Sequence, residues 1–229
     1  MNVQNATSIG VNLSSAANVL LTNVSAANTV TNTFTSTASL YIFGNTTGCI
    51  IQGGEWYGAS GQALFYSSTG PGNFIKSAYF DSGSTGAEIA TASLLSITGS
   101  WFSNGRTGGG FPGLQITAGD SITIQGSIFD NSGNDGLLIT GGTHIVVTGN
   151  EANNNGVTTA GKHGIEVAAN VTDFNITNNI AVGNAGFGII VDTGTSNRYI
   201  ITGNLITSNT GGGVSDGGSG ASKTVSGNW

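Results

Sequence analysis

The sequence predicts an all-β chain wound as a single-stranded right-handed parallel β-helix, about nine coils of three short strands each. Three observations predict it. A motif of alternating apolar residues closed by Thr, Gly and Asn recurs along the chain. Two further apolar elements keep a fixed order between its copies. Only 7% of the 229 residues are charged while 38% are hydrophobic, against roughly 25% charged in an ordinary soluble domain. A packed core with uncharged polar edges follows from that balance.

The closing motif is clearest as Ile145-Val146-Val147-Thr148-Gly149-Asn150, Phe174-Asn175-Ile176-Thr177-Asn178-Asn179 and Tyr199-Ile200-Ile201-Thr202-Gly203-Asn204. Its last apolar residue falls at Leu21, Ile51, Ile75, Ile97, Ile124, Val147, Ile176, Ile201 and Val225, spaced 22 to 30 residues apart. A second element, Gly-apolar-x-apolar, precedes each late copy: Gly86 to Ile89, Gly113 to Ile116, Gly136 to Ile139, Gly164 to Val167 and Gly188 to Val191. A third follows the turn and carries one large or apolar residue: Trp56, Phe80, Phe102, Phe129, Ala152, Ala181, Ile206. Three period-2 runs per repeat mean three strands. A hairpin meander would not return the same residue type to the same phase every coil. A chain that turns three times and comes back one strand higher does, and like then stacks on like. The Gly or Asn after Thr suits a left-handed turn. The next residue (Asn150, Asn179, Asn204, Asn228) is placed to form a ladder of side-chain amides.

Composition excludes several classes. The formal charge is −6 with five Lys or Arg, too few cations for a nucleic-acid surface. Cys49 is the only cysteine, so it reads as a small buried apolar residue without disulfide or cysteine-metal chemistry. No run approaches 18 apolar residues, so no membrane span is expected. The first 30 residues contain no Lys or Arg, so no ordinary signal peptide is expected. Residues 1–229 read as one β-helix domain, a fragment or one flanked by other domains, since neither end shows a capping segment.

The Gly-Ile-x-Val, Ile-Thr-Gly-Asn and Asn-x-Phe elements resemble the right-handed parallel β-helix, or pectate-lyase-like, superfamily. The resemblance runs from about Ile9 to Trp229 and is carried by structural motifs. It implies polysaccharide as the partner, since members include pectin-degrading enzymes and phage tailspikes and tail fibres that bind or cleave bacterial polysaccharides. The low-charge Asn/Thr/Gly style is most similar to the phage and bacterial surface members. That implies a virion-tail or bacterial-surface location and trimers of parallel rods.

Long spacings mark insertions at about Ala27–Ser39, Asn104–Pro112 and Asn153–His163, all on one edge. Such insertions commonly line the binding face of a rod. The strand after them points Tyr41, Leu64, Glu88, Gln115, Leu138, Glu166, Ile190 and Ser215 outward. The next strand points Leu20, Ile50, Phe74, Val146 and Ile200 outward, an apolar stripe expected to pack on other copies in a homotrimer or to be covered by an N-terminal or loop segment.

Candidate chemistry is sparse. Asp81 and Asp130 share a phase two coils apart, about 9.6 Å by strand spacing, a separation that suits an inverting glycosidase. Both also sit where turns favour Asp. Glu88, with Arg106 on the loop beside it and Gln115 on the next coil, could hold an acidic sugar, supply a lyase base or form a surface ion pair. Tyr79 and Trp101 face outward and could stack on a sugar ring or a partner. His163, with Lys162 and Glu166, could supply a general base or be a solvated loop. No metal set and no cofactor motif is present. Few clustered carboxylates argue for recognition over cleavage, with a depolymerase (hydrolase or lyase) and a purely structural or adhesive rod as the other readings.

Overall fold

The computed structural model describes residues 2–6, 9–28, 38–58, 61–82, 86–104 and 110–229. They form three parallel sheets of nine strands each. The first sheet runs from Asn2–Ala6 to Leu205–Thr207, the second from Ile9–Ser14 to Gly212–Gly218, and the third from Leu20–Thr22 to Lys223–Ser226. The chain visits them in turn and returns one strand higher. About seven turns thus have a neighbour on both sides, and the expected nine coils include the two outermost turns. Among the described residues there is no helix, hence none long and apolar enough to cross a membrane.

The repeat becomes columns. In the third sheet Leu21, Ile51, Ile75, Ile97, Ile124, Val147, Ile176, Ile201 and Val225 stand in one unbroken register. In the second, Ile89, Ile116, Ile139, Val167 and Val191 do the same. In the first, Trp56, Phe80, Phe102 and Phe129 stack ring on ring, with centroids 6.5, 5.1 and 5.5 Å apart. All these rings are buried. The turn after the third-sheet strand is left-handed as expected, with positive φ at Gly99, Gly126, Gly149, Asn178, Gly203 and Gly227.

Hydrogen bonds tie the coils at two corners. At the first, the Asn179 side chain accepts from the Asn150 amide N–H and from Asn150 Nδ2, and donates to Val147 O and Asn204 Oδ1. Asn204 repeats this with Asn228, and Ser100 and Ser127 extend it the other way. A second ladder, Ser132, Asn155, Asn184 and Asn209, lies at the corner before the second sheet. Every buried amide of these rungs is satisfied by the next coil, which is what lets so polar a chain enclose a core.

One outward assignment is corrected. Phe65, not Leu64, pairs with Tyr41 and Glu88 on the outer face of the second sheet, and Leu64 is fully buried. Four consecutive apolar residues, Ala63 to Tyr66, leave period 2 without a phase. The third-sheet stripe does face outward. Leu20 is 62% exposed, Ile200 42% and Phe74 37%, while Ile50 and Val146 are half-buried. Ser96, Thr123 and Asn175 interrupt it. Arg106 and most of the first two insertions lie outside the described residues.

Candidate functional site

The third insertion is described in full and builds the densest group of ionisable side chains among the described residues. After the first-sheet strand Glu151–Asn153 the chain leaves the coil and folds back on the Ser132–Asn134 turn of the coil before it. The Gly156 and Val157 amides donate to Ser132 O, those of Thr158 and Thr159 to Gly133 O, and Thr158 Oγ1 adds a bond to Gly133 O. The segment re-enters through Lys162 and His163 into the second-sheet strand Ile165–Val167. Glu166 lies on that strand's outer face, in register with Leu138 and Ile190.

Asp135 is the anchor. It is fully buried. Its Oδ1 accepts the His163 backbone N–H at 2.7 Å, and its Oδ2 lies 3.3 Å from Lys162 Nζ. The same ammonium is 3.3 Å from Glu166 Oε2. His163 stacks on Phe187 of the next coil, 5.8 Å between centroids, and its Nδ1 accepts the Phe187 amide N–H at 2.9 Å. Its proton therefore sits on Nε2, 3.8 Å from Glu166 Oε2. Gly186 allows this approach: a Cβ there would lie 2.5 Å from His163 Nδ1.

The environment tunes each group. Burial pushes His163 below the ordinary imidazole value, so it stays neutral at neutral pH. Burial, then the Asp135 charge, pushes Glu166 up. Burial and Glu166 push Asp192 up. Burial works against the Lys162 ammonium, but Asp135 and Glu166 outweigh it and keep it charged. One oxygen or nitrogen from each of Asp135, His163 and Glu166 lies within 4.8 Å of the others, a spacing a metal ion could use. The donor set does not fit one. Lys162 already supplies a cation between the two carboxylates, and the imidazole nitrogen facing Glu166 carries a proton rather than a lone pair. The arrangement is one that can hold and pass protons.

The two histidines are expected to titrate on opposite sides of the free imidazole value. His144 is exposed, its Nδ1 2.6 Å from Asp120 Oδ1, and this bond raises its pKa; His163 is lowered. An NMR pH titration checks this, and one common midpoint would contradict it. The stability consequence of His163 has one sign. A depressed folded pKa leaves stability whole above the unfolded pKa of about 6.5 and drains it as pH falls through the folded value.

The other sequence-derived candidates divide between two faces. Glu88, Gln115 and Glu166 share the second sheet's outer column. Glu88 accepts from Gln62 Nε2 at 2.7 Å and from Thr117 Oγ1 at 3.3 Å. Asp81, Asp130, Tyr79 and Trp101 are on the first sheet, around the corner. Asp81 pairs with Ser103, and Asp130 follows one coil on, so the shared phase is real. Asp130 accepts from Asn131 Nδ2 at 2.7 Å, as turn aspartates do. Tyr79 and Trp101 meet edge to face at 4.8 Å, and Trp101 is 39% exposed. Asp135, Asp192 and the second ladder escaped the sequence reading. The ladder had a signal: each rung follows a first-ladder rung by five residues, as Asn155 follows Asn150 and Asn184 follows Asn179.

A solenoid of stacked three-strand coils defines the class, and the family model described as "Right handed beta helix region" matches residues 1–151 and 70–229. The chain belongs to that family. Among solved structures it is similar to the A-modules of two Azotobacter vinelandii mannuronan C-5 epimerases. With AlgE6 the identity is 15% and the TM-score 0.67 over 99% of this chain and 55% of the other. With AlgE4 they are 12% and 0.62 over 98% and 78%. A periplasmic alginate epimerase, AlgG, gives 14% and 0.50 over 99% and 74%. The chain thus spans little more than half the length of the first of these, and identities this low establish the fold alone. No curated protein matches it by sequence.

Proposed function

We propose that this chain recognises a polysaccharide along the outer face of its second sheet, as part of a virion tail fibre, tailspike or bacterial-surface protein. One observation carries the reading. Tyr41, Phe65, Glu88, Gln115, Leu138, Glu166, Ile190 and Ser215 form a single solvent-facing column in continuous register. Seven strand spacings make it about 34 Å long. It offers stacked aromatics at one end, with Tyr41 and Phe65 5.1 Å apart, then hydrogen-bonding side chains, then the Asp135–Lys162–His163–Glu166 cluster. A linear, amphipathic, hydroxyl-rich polymer matches that sequence of groups. The epimerase neighbours, named for mannuronan and alginate, lend support by class of ligand. Glu88, Gln115, His163 and Glu166 are the proposed contacts, joined by Arg106, which lies outside the described residues. The apolar third-sheet stripe, Leu20 through Ile200, then faces other copies in a homotrimer and leaves the second sheet free.

The cluster favours cleavage as the second reading. Glu166, held up by burial, could donate a proton; Asp81 and Asp130, with Tyr79 and Trp101 for sugar contact, are the rival pair. The test incubates the protein with bacterial capsular and lipopolysaccharide glycans and measures binding, new reducing ends and unsaturated products together. Binding lost in Glu166→Gln but kept in Asp81→Asn is the expected result. Loss in Asp81→Asn with folding intact would move the site to the first sheet, and product release abolished by either variant would name the acid. No binding by any glycan would leave a structural rod.

A further inference from the structure

We infer that the second-sheet site takes an uncharged glycan and discriminates against polyuronates. The inference rests on the proposed function and concerns its ligand. The described charged groups of that face and of the cluster beneath it are Glu88, Asp135, Glu166 and Asp192 against Lys162, four carboxylates to one ammonium, a net of −3. That ammonium is not available to an incoming anion: Lys162 lies between Asp135 and Glu166, 3.3 Å from each.

The carboxylates along the column also point the same way. Glu88 already accepts two hydrogen bonds from the protein's own Gln62 and Thr117, and it has further acceptor lone pairs for sugar hydroxyls. Burial and the Asp135 charge already push Glu166 up, and burial and Glu166 push Asp192 up. A further carboxylate brought by a uronate would meet like charge there, with no guanidinium or free ammonium among the described residues of that face to offset it. A neutral sugar meets acceptors for its hydroxyls, Gln115 as a mixed donor and acceptor, and the apolar faces of Tyr41, Phe65, Leu138 and Ile190. The ligand chemistry that fits is therefore a hexose polymer without acid groups, and this separates the chain from its structural neighbours, which are named for a uronate polymer.

The test titrates the intact protein with size-matched oligomers of an uncharged mannan, an uncharged glucan and a polyuronate, at low and physiological salt. At least one neutral oligomer is expected to bind about tenfold or more tighter than the polyuronate at low salt, the gap narrowing as screening rises. The double variant Glu166→Gln/Asp192→Asn should gain polyuronate binding relative to neutral oligomer. Polyuronate bound as well as or better than both neutral oligomers would overturn the inference and leave the second-sheet glycan site standing. No binding of any of the three would overturn both, and so would binding that Glu166→Gln and Gln115→Ala leave untouched.

Discussion

Asn179→Ala is expected to lower the unfolding free energy by about 3–5 kcal/mol, among the largest effects of any single polar substitution in the chain. The residue is buried, so each group it serves loses its partner without gaining water. Its Oδ1 accepts both the amide N–H and the Nδ2 of Asn150, and its Nδ2 serves Val147 O and Asn204 Oδ1. Alanine leaves two buried donors and one buried carbonyl unpaired, at about 1–3 kcal/mol each before relaxation. Urea unfolding checks it. Asn228→Ala serves as the control: only Asn204 and Ile201 O use its side chain, and it is half-buried, so its cost should be about 1 kcal/mol. Equal costs at the two rungs would show that the ladder is not the source of stability.

Phe102→Ala is expected to cost about 3–5 kcal/mol, the usual range for removing a buried ring. The site cannot collapse to soften this. Phe102 stands between Phe80 and Phe129, with interplanar angles of 11° and 16°, and the coil spacing is fixed by backbone bonds on both sides. The cavity keeps its neighbours apart, and two stacked contacts are lost together. Phe102→Leu should recover more than half of the loss. Thermal unfolding of the two variants gives the comparison, and a loss below about 1 kcal/mol for alanine would mean the coils close over the gap.

These two columns were legible because stacking makes each coil an independent copy of the same constraint. An Ile repeated at one phase can only be a column, and so can an Asn after each Thr-Gly. The register errors came where the local pattern carries no phase, as at Ala63 to Tyr66. The site was legible only in part. Lys162, His163 and Glu166 could be placed together because they are near in sequence and lie at the end of an insertion. Asp135 could not. It sits in Ser132-Gly133-Asn134-Asp135-Gly136, which reads as an ordinary turn. Only the fold-back of a loop 28 residues later buries it against the His163 amide. Asp192 was hidden for a similar reason: it directly follows Val191, the last apolar residue of its strand, and what matters is the coil below it.

The hydrogen bonds that join successive coils all run along the rod, while the covalent chain runs around it. Such a body is mechanically anisotropic. Tension along the axis is borne by parallel-strand bonds of three sheets and two amide ladders acting side by side, and it must part a whole interface before the next is loaded. A sideways pull on one insertion loads peptide bonds and the few contacts of that loop. A glycan held along the second sheet would deliver its drag in the first direction, spread over many coils, which is the geometry in which this chain is strongest.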